Sequence, residues 1–227
     1  MGKYHLHNPT CGRLFARVVK LVNIRVAHAC KDSRGSREQR GFIHPDCYQG
    51  GNISVRIIGS GNRVRIGRPK NPTKTSLSIK LAGRSSLDIA DEHQIQGARI
   101  FSIKGGSVTI GSNVTVRSNL RLLLHEASNI TVGDDCLFAS DVWYATSDMH
   151  SILDLETMER INPARDIAIG SHVWIGIGVK ILKGTKVGND SIIGAGAVVR
   201  GTLPENVIAA GNPAQVQRKG VTWGSKL

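Results

Sequence analysis

The sequence predicts an all-β chain wound into a parallel solenoid, and three observations carry that expectation. From Ile169 onward an aliphatic residue returns at every sixth position: Ile169, Ile175, Ile181, Val187, Ile193 and Val199. Glycine follows four of them, at Gly170, Gly176, Gly188 and Gly194, and the position two before each later aliphatic is small or β-branched (Val173, Val179, Thr185, Ser191, Ala197). A period of six does not fit the 3.6-residue turn of a helix, whereas it fits a short strand with two inward residues followed by a tight corner. Three such strands close one triangular coil. Stacked coils then pair their backbones with the coils above and below and bury an aliphatic ladder that no single repeat buries alone.

The same rhythm, broken by offsets, runs through Ile89, Ile95 and Phe101; through Ile110-Gly111, Val116 and Leu122; and through Val132-Gly133, Phe138 and Tyr144. Ile58-Gly59, Val64 and Ile66-Gly67 carry it back to about residue 50. This divides the chain into a basic N-terminal cap (1–50), a solenoid (51–214) and a short basic tail (215–227), the two ends covering the open edges of the coils. One long break, residues 147–166 with Pro163, reads as a loop thrown out of the scaffold, where function concentrates.

The chain has 227 residues, 40% hydrophobic and 21% charged, which describes a folded domain rather than a disordered one. Thirty Lys and Arg against 17 Asp and Glu give a formal charge of +13, which favours an anionic partner. Four Phe, three Trp and three Tyr supply few stacking platforms, so a nucleic-acid binder is disfavoured. Cys11, Cys30, Cys47 and Cys136 show no ligand spacing and read as reduced thiols of a cytoplasmic protein. Leu14, Phe15, Val18, Val19 and Val22 alternate with Arg13, Arg17, Lys20 and Arg25 at helical spacing. That pattern suits a helix packed on its own domain or one lying peripherally on an anionic membrane surface.

His172-Val173-Trp174-Ile175-Gly176, then Ile193-Gly194-Ala195-Gly196-Ala197-Val198-Val199, then Ala210-Gly211-Asn212-Pro213-Ala214 resemble the hexapeptide-repeat acyltransferases. The resemblance is to the branch of galactoside, maltose and polysaccharide O-acetyltransferases, and it covers roughly residues 53 to 218. It implies a left-handed β-helix, a homotrimer, and acetyl-coenzyme A lying in a groove between subunits, with a catalytic histidine on a projecting loop. The segment Thr146-Ser147-Asp148-Met149-His150 resembles the Asp-x-His stretch of sugar O-acetyltransferases, which makes His150 the candidate general base. Asp148 is its candidate orienting or acceptor-binding partner, or a turn residue.

By the same resemblance Trp174 flanks the pantetheine arm, and the amide of Ile177, after Gly176, is the oxyanion donor; the family more usually has a small residue at 177. Ala195 lets the coenzyme approach the backbone, and Arg200 and Arg218 meet its nucleotide end, with Lys183 a weaker candidate or a solvated charge. Trp143 is a candidate wall of the acceptor pocket. Transfer to a sugar hydroxyl needs a base and no covalent intermediate, and neither a Gly-x-Ser-x-Gly elbow nor a Cys/His signature is present. The acceptor expected is a glycan, an anionic polysaccharide or its precursor among them. N-acetylation of an amino sugar nucleotide uses the same groove and is the alternative. A zinc site on His125, His150 and His172, as in solenoid carbonic anhydrases, is a further reading, but the spacings do not resemble that family's and no metal is expected.

Overall fold

The computed structural model describes residues 27–29 and 40–226, and consists of three sheets with two short 3-10 turns. The first face stacks eight strands from Ala27–Ala29 to Val198–Val199, and the second stacks eight from Arg40–Ile43 to Thr202–Leu203. The third begins at Gln94–Ile95 and ends with the strand Ala214–Lys219. Every pairing is parallel except the last, where Ala214–Lys219 turns back on Val207–Gly211. That antiparallel strand covers an edge that would otherwise offer unpaired backbone groups to another chain.

The hexad explains both the core and the corners. Ile169, Ile175, Ile181, Val187, Ile193 and Val199 point into the bore, as do Val173, Val179, Thr185, Ser191 and Ala197, and all are buried. Each buried aliphatic side chain contributes about 1.5–3 kcal/mol, against about 0–1 kcal/mol for an exposed ion pair, so the ladder holds the stack. At the corners the backbone enters the left-handed region. Asn113, Asp135, His172, Asp190 and Asn206 stack at the second-to-third corner, and Asn119, Asp141, Gly178 and Gly196 at the third-to-first corner. Asn, Asp and Gly tolerate that conformation best, so the corner composition follows from backbone sterics.

Coil length changes along the stack. Corner partners Ser171 and Asn189 lie 18 residues apart, which is three hexads, whereas Asn113 and Asp135 lie 22 apart and Arg65 and Asp88 lie 23 apart. The wider coils insert their extra residues into the first face, where Ser76–Ala82 and Leu120–Leu124 each bury three side chains instead of one or two. The coil carrying the long break spans 37 residues.

The stack reaches further back than the boundary expected near residue 50. Arg40–Ile43 pairs with Arg63–Ile66, and Ala27–Ala29 pairs with Arg56–Ile58, so strands of the solenoid lie within the expected cap. The helix expected around Leu14 to Val22 lies outside the described residues, as do Cys11 and Cys30. Cys47 and Cys136 are free and buried, and desolvation pushes their thiols up to about 12 and about 11. Among the described residues no helix is long and apolar enough to cross a membrane.

Candidate active site

The chain leaves the first face after Ala145 and rejoins the second at Ile167. Both roots of the excursion are tied to the coil before it. The Thr146 hydroxyl accepts from Ser128 Oγ at 2.8 Å, and the Asp166 carboxylate accepts from the Asn129 amide at 2.7 Å and its side chain at 2.9 Å. Beyond the roots the loop folds on itself. Ile161 donates to the Ile152 carbonyl, Asp154 to that of Glu159, and the Asp154 carboxylate caps the turn through the amides of Glu156 and Thr157.

Two residues lock this loop to the scaffold. Arg160 forks onto Glu126 with bonds of 2.6 and 2.8 Å and gives a third to the Asn162 carbonyl. The guanidinium pulls the Glu126 carboxyl down to about 2. Asn162, 5% exposed, uses its full bonding capacity: Nδ2 donates to Asp148 Oδ2 and to the His150 carbonyl, both at 2.8 Å, and Oδ1 accepts from the Ile152 amide and Arg160 Nε. The main chain of His150 is thereby fixed. Its exposed imidazole makes no hydrogen bond or ring contact among the described residues.

The direct Asp148–His150 pairing expected from their spacing is not formed. The Asp148 carboxylate accepts from Lys183 Nζ and Asn162 Nδ2, and these two bonds, Lys183 first, hold it below the usual carboxylate range. Residues two apart on a turn point different ways, so Asp148 acts on His150 only through Asn162. Lys183 is not a solvated charge either. It is largely buried against Asp148 and also donates to the Asn162 carbonyl at 3.2 Å. With Arg165, Leu182, Gly184, Arg200 and Gly201 these residues line a cleft of about 470 Å³ at the first-to-second corner, with three cations against one carboxylate.

The remaining candidates lie elsewhere on the coil. Trp174, 41% exposed, faces outward from the third face, and Ile177, 53% exposed, sits on the third-to-first corner. A Cβ on Gly176 would stand 2.7 Å from the Ala195 nitrogen and 2.8 Å from the Ile193 carbonyl, so only glycine lets these coils stack. The Ile177 carbonyl accepts from Gly196, while its N–H has no acceptor among the described residues. Strand registers put Trp174, Ile192, Ile208 and Arg218 in one row down the third face. Trp143 is half-buried on the first face, in register between Arg121 and Lys180. One chain thus carries two half-sites: His150, Lys183 and Arg200 at one corner, and Trp174, Ile177, Ala195 and Arg218 on the third face and its far corner. The width of the first face separates them.

The three histidines weighed as metal ligands are dispersed. His125 packs on the Phe101 ring at 5.0 Å, and burial lowers its pKa; His172 occupies the second-to-third corner, bonded to Asp190 at 2.8 Å. Among the described residues no three metal-ligating side chains cluster. Sequence reasoning missed Asn162, Arg160 and Trp223. The first two sit in a non-repeating loop whose only signal was Arg-x-Asn-Pro before its return. Trp223 lies in the tail, yet its ring stacks on His172 at 4.6 Å and tilts against Trp174 at 6.2 Å.

Residues 166–201 match the family model described as bacterial transferase hexapeptide, six repeats. The polysialic acid O-acetyltransferase of Escherichia coli O1:K1 is 40% identical over 124 residues, covering 55% of this chain and 40% of that protein. Its counterpart from Neisseria meningitidis is 37% identical over 131 residues, covering 57% of this chain and 60% of that one. The match thus spans about half the length of these curated relatives. The solved structure of the polysialic acid O-acetyltransferase OatWY superimposes with a TM-score of 0.73 at 28% identity, covering 83% of this chain and 89% of that one.

Proposed function

We propose, from the premise that the chain is a member of the hexapeptide-repeat family of bacterial transferases, that it moves an acetyl group from acetyl-coenzyme A to a sugar hydroxyl. The acceptor would be a surface polysaccharide or its precursor. The observation that carries this reading is the locked loop, which fixes the backbone of His150 through Asn162 and leaves its imidazole free to take a proton. The names of the relatives support both the group transferred and the acceptor class.

The residues present fit the donor. An unpartnered amide at Ile177 suits a developing oxyanion, and Arg218 at the foot of the Trp174 row, with Arg200 of the cleft, suits phosphates. Bound there, acetyl-coenzyme A supplies an activated thioester carbonyl. In the direct transfer, His150 takes the proton as the acceptor oxygen bonds to that carbonyl, and the Ile177 N–H meets the negative charge on the carbonyl oxygen. When the C–S bond breaks, the imidazolium returns the proton to the departing sulfur, giving an acetyl ester and a free thiol.

Because His150 and Ile177 lie at different corners, the reading calls for a second copy to complete the site, and a homotrimer with its groove between subunits would supply it. Calorimetric titration with acetyl-coenzyme A, with free adenosine nucleotide as control, tests the donor. Saturable binding near one per chain, tighter than the control, is expected; no binding at millimolar donor overturns the reading. Light scattering is expected to give three chains per particle, and a monomer overturns the shared groove.

A further inference from the structure

The segment after Gly220 climbs one corner of the solenoid. The Val221 amide donates to the Asn206 carbonyl at 3.1 Å, and Thr222 Oγ1 lies 3.3 Å from the Asp190 carboxylate. Trp223 Nε1 then donates to the His172 carbonyl at 2.8 Å. Asn206, Asp190 and His172 are the left-handed residues of three successive coils, so the tail rises one rung per residue. At the top rung the Trp223 ring stacks on the His172 imidazole at an interplanar angle of 13° and stands 6.2 Å from Trp174 at 51°. Each of the three bonds is weak alone. What distinguishes this path is its destination, a second indole beside one that is otherwise exposed.

We propose that the tail is a strap and that Trp223 is a donor-positioning residue, fixing the Trp174 indole against which the donor's pantetheine arm is held. The inference rests on the acetyl-coenzyme A reading above. Below Trp174 the row continues through Ile192 and Ile208 to Arg218, three strand spacings or about 14 Å away. An apolar arm ending in phosphates fits a row that begins at two indoles, runs over two isoleucines and ends at a guanidinium. Arg218 lies on the strand that leads into the strap, so the same segment carries both ends of the row. A tilted indole pair at this separation is a favoured aromatic arrangement, and it adds to the row neighbours Leu137 and Ile192 a contact that orients the Trp174 ring.

The test compares Trp223→Ala and Trp223→Phe in the full chain by coenzyme A titration, by steady-state kinetics with acetyl-coenzyme A against a fixed acceptor, and by thermal melting. Trp223→Ala is expected to raise the donor Kd and KM about three- to tenfold, with kcat and acceptor KM within twofold and an unchanged melting point. Trp223→Phe, which keeps a ring and loses the Nε1 bond, is expected to recover most of the affinity. A folded Trp223→Ala variant whose donor Kd stays within twofold of the parent overturns the proposal. So does one that melts early and loses donor and acceptor affinity alike, since that is a structural role. A parent protein that does not bind coenzyme A overturns the donor reading, and the strap's role with it.

Discussion

The coils before Ala145 and those after Ile167 solve one packing problem with different steps. After Ile167 the coils take 18 residues, the triangle that three hexads close, and the last tightens to 16. From Asn52 to Ala145 they take 21 to 24, and the added residues lengthen the first-face strands Ser76–Ala82 and Leu120–Leu124. Both regions bury aliphatic ladders and stack left-handed Asn, Asp and Gly at their corners. The difference teaches that the six-residue period belongs to the minimal coil rather than to the fold. A coil that buries a third side chain on one face, as at Leu120, Leu122 and Leu124, loses the period and keeps the architecture. It also shows a division of labour: apart from Trp143, at the end of the wide region, the candidate residues for transfer lie on the narrow coils or on the loop between the two regions.

That division is open to direct attack. His150→Ala is expected to lower kcat by about 10²- to 10⁴-fold with donor affinity and melting point intact, because the base is lost and nothing packs on its ring. Retained turnover removes the assignment. Leu122→Ala, in the wide region, should do the reverse, destabilising the chain by about 2–5 kcal/mol in a denaturant titration while leaving the kcat of the folded fraction alone. If it abolished turnover in folded protein, the two regions would not be functionally separate.

Arg160→Ala removes the loop's anchor to Glu126, leaving its tie to Lys183, without touching either ladder. We expect kcat to fall about ten- to hundredfold with little change in melting temperature, since the loss is of positioning. The pH dependence of this anchor follows from the depressed carboxyl of Glu126, at about 2 against an ordinary 4.5. A carboxylate lowered on folding stabilises fully above its ordinary value and loses its contribution as pH falls through the lowered one. The loop therefore stays pinned down to about pH 4.5 and is released progressively from there to about 2. In Glu126→Gln this acid-linked release is expected to vanish, and an acid limb between about pH 4.5 and 2 that is unchanged in that variant would take the anchor out of it. The smallest effect concerns the thiols. With pKa values near 12 and 11, Cys47 and Cys136 should resist thiol reagents at neutral pH in folded protein and react at full rate in denaturant.

The candidate site came from resemblance more than from the repeat: the hexapeptide-repeat acyltransferase pattern singles out Trp174, Gly176, Ile177 and Ala195, and its Asp-x-His stretch singles out His150. The period adds that Trp174 and Ile177 fall outside the inward ladder, and both are exposed. The loop carrying His150 shows in the sequence as the one long interruption of the repeat. Asp148, read as an orienting or acceptor-binding partner of His150 or as a turn residue, makes no direct bond to His150. Its real partners, Lys183 and Asn162, lie 35 and 14 residues away in sequence, and no local spacing encodes them.

The sequence alone determined the solenoid and the position of the projecting loop, since both follow from local periodicity; the left-handed corners, at residues such as Asn113, Asp190 and Gly178 rather than at the repeat glycines, came from the structure. Only the tertiary structure decided what coil stacking controls. Stacking brings Lys183 under Asp148, separates His150 from Ile177 by the width of a face, and carries Trp223 up three corners to Trp174. The reason is geometric: a repeat specifies its own coil, while contacts between coils depend on how many residues each one spends, and from Asn52 onward that number runs between 21 and 24, rises to 37 at the loop, and falls to 18 and then 16.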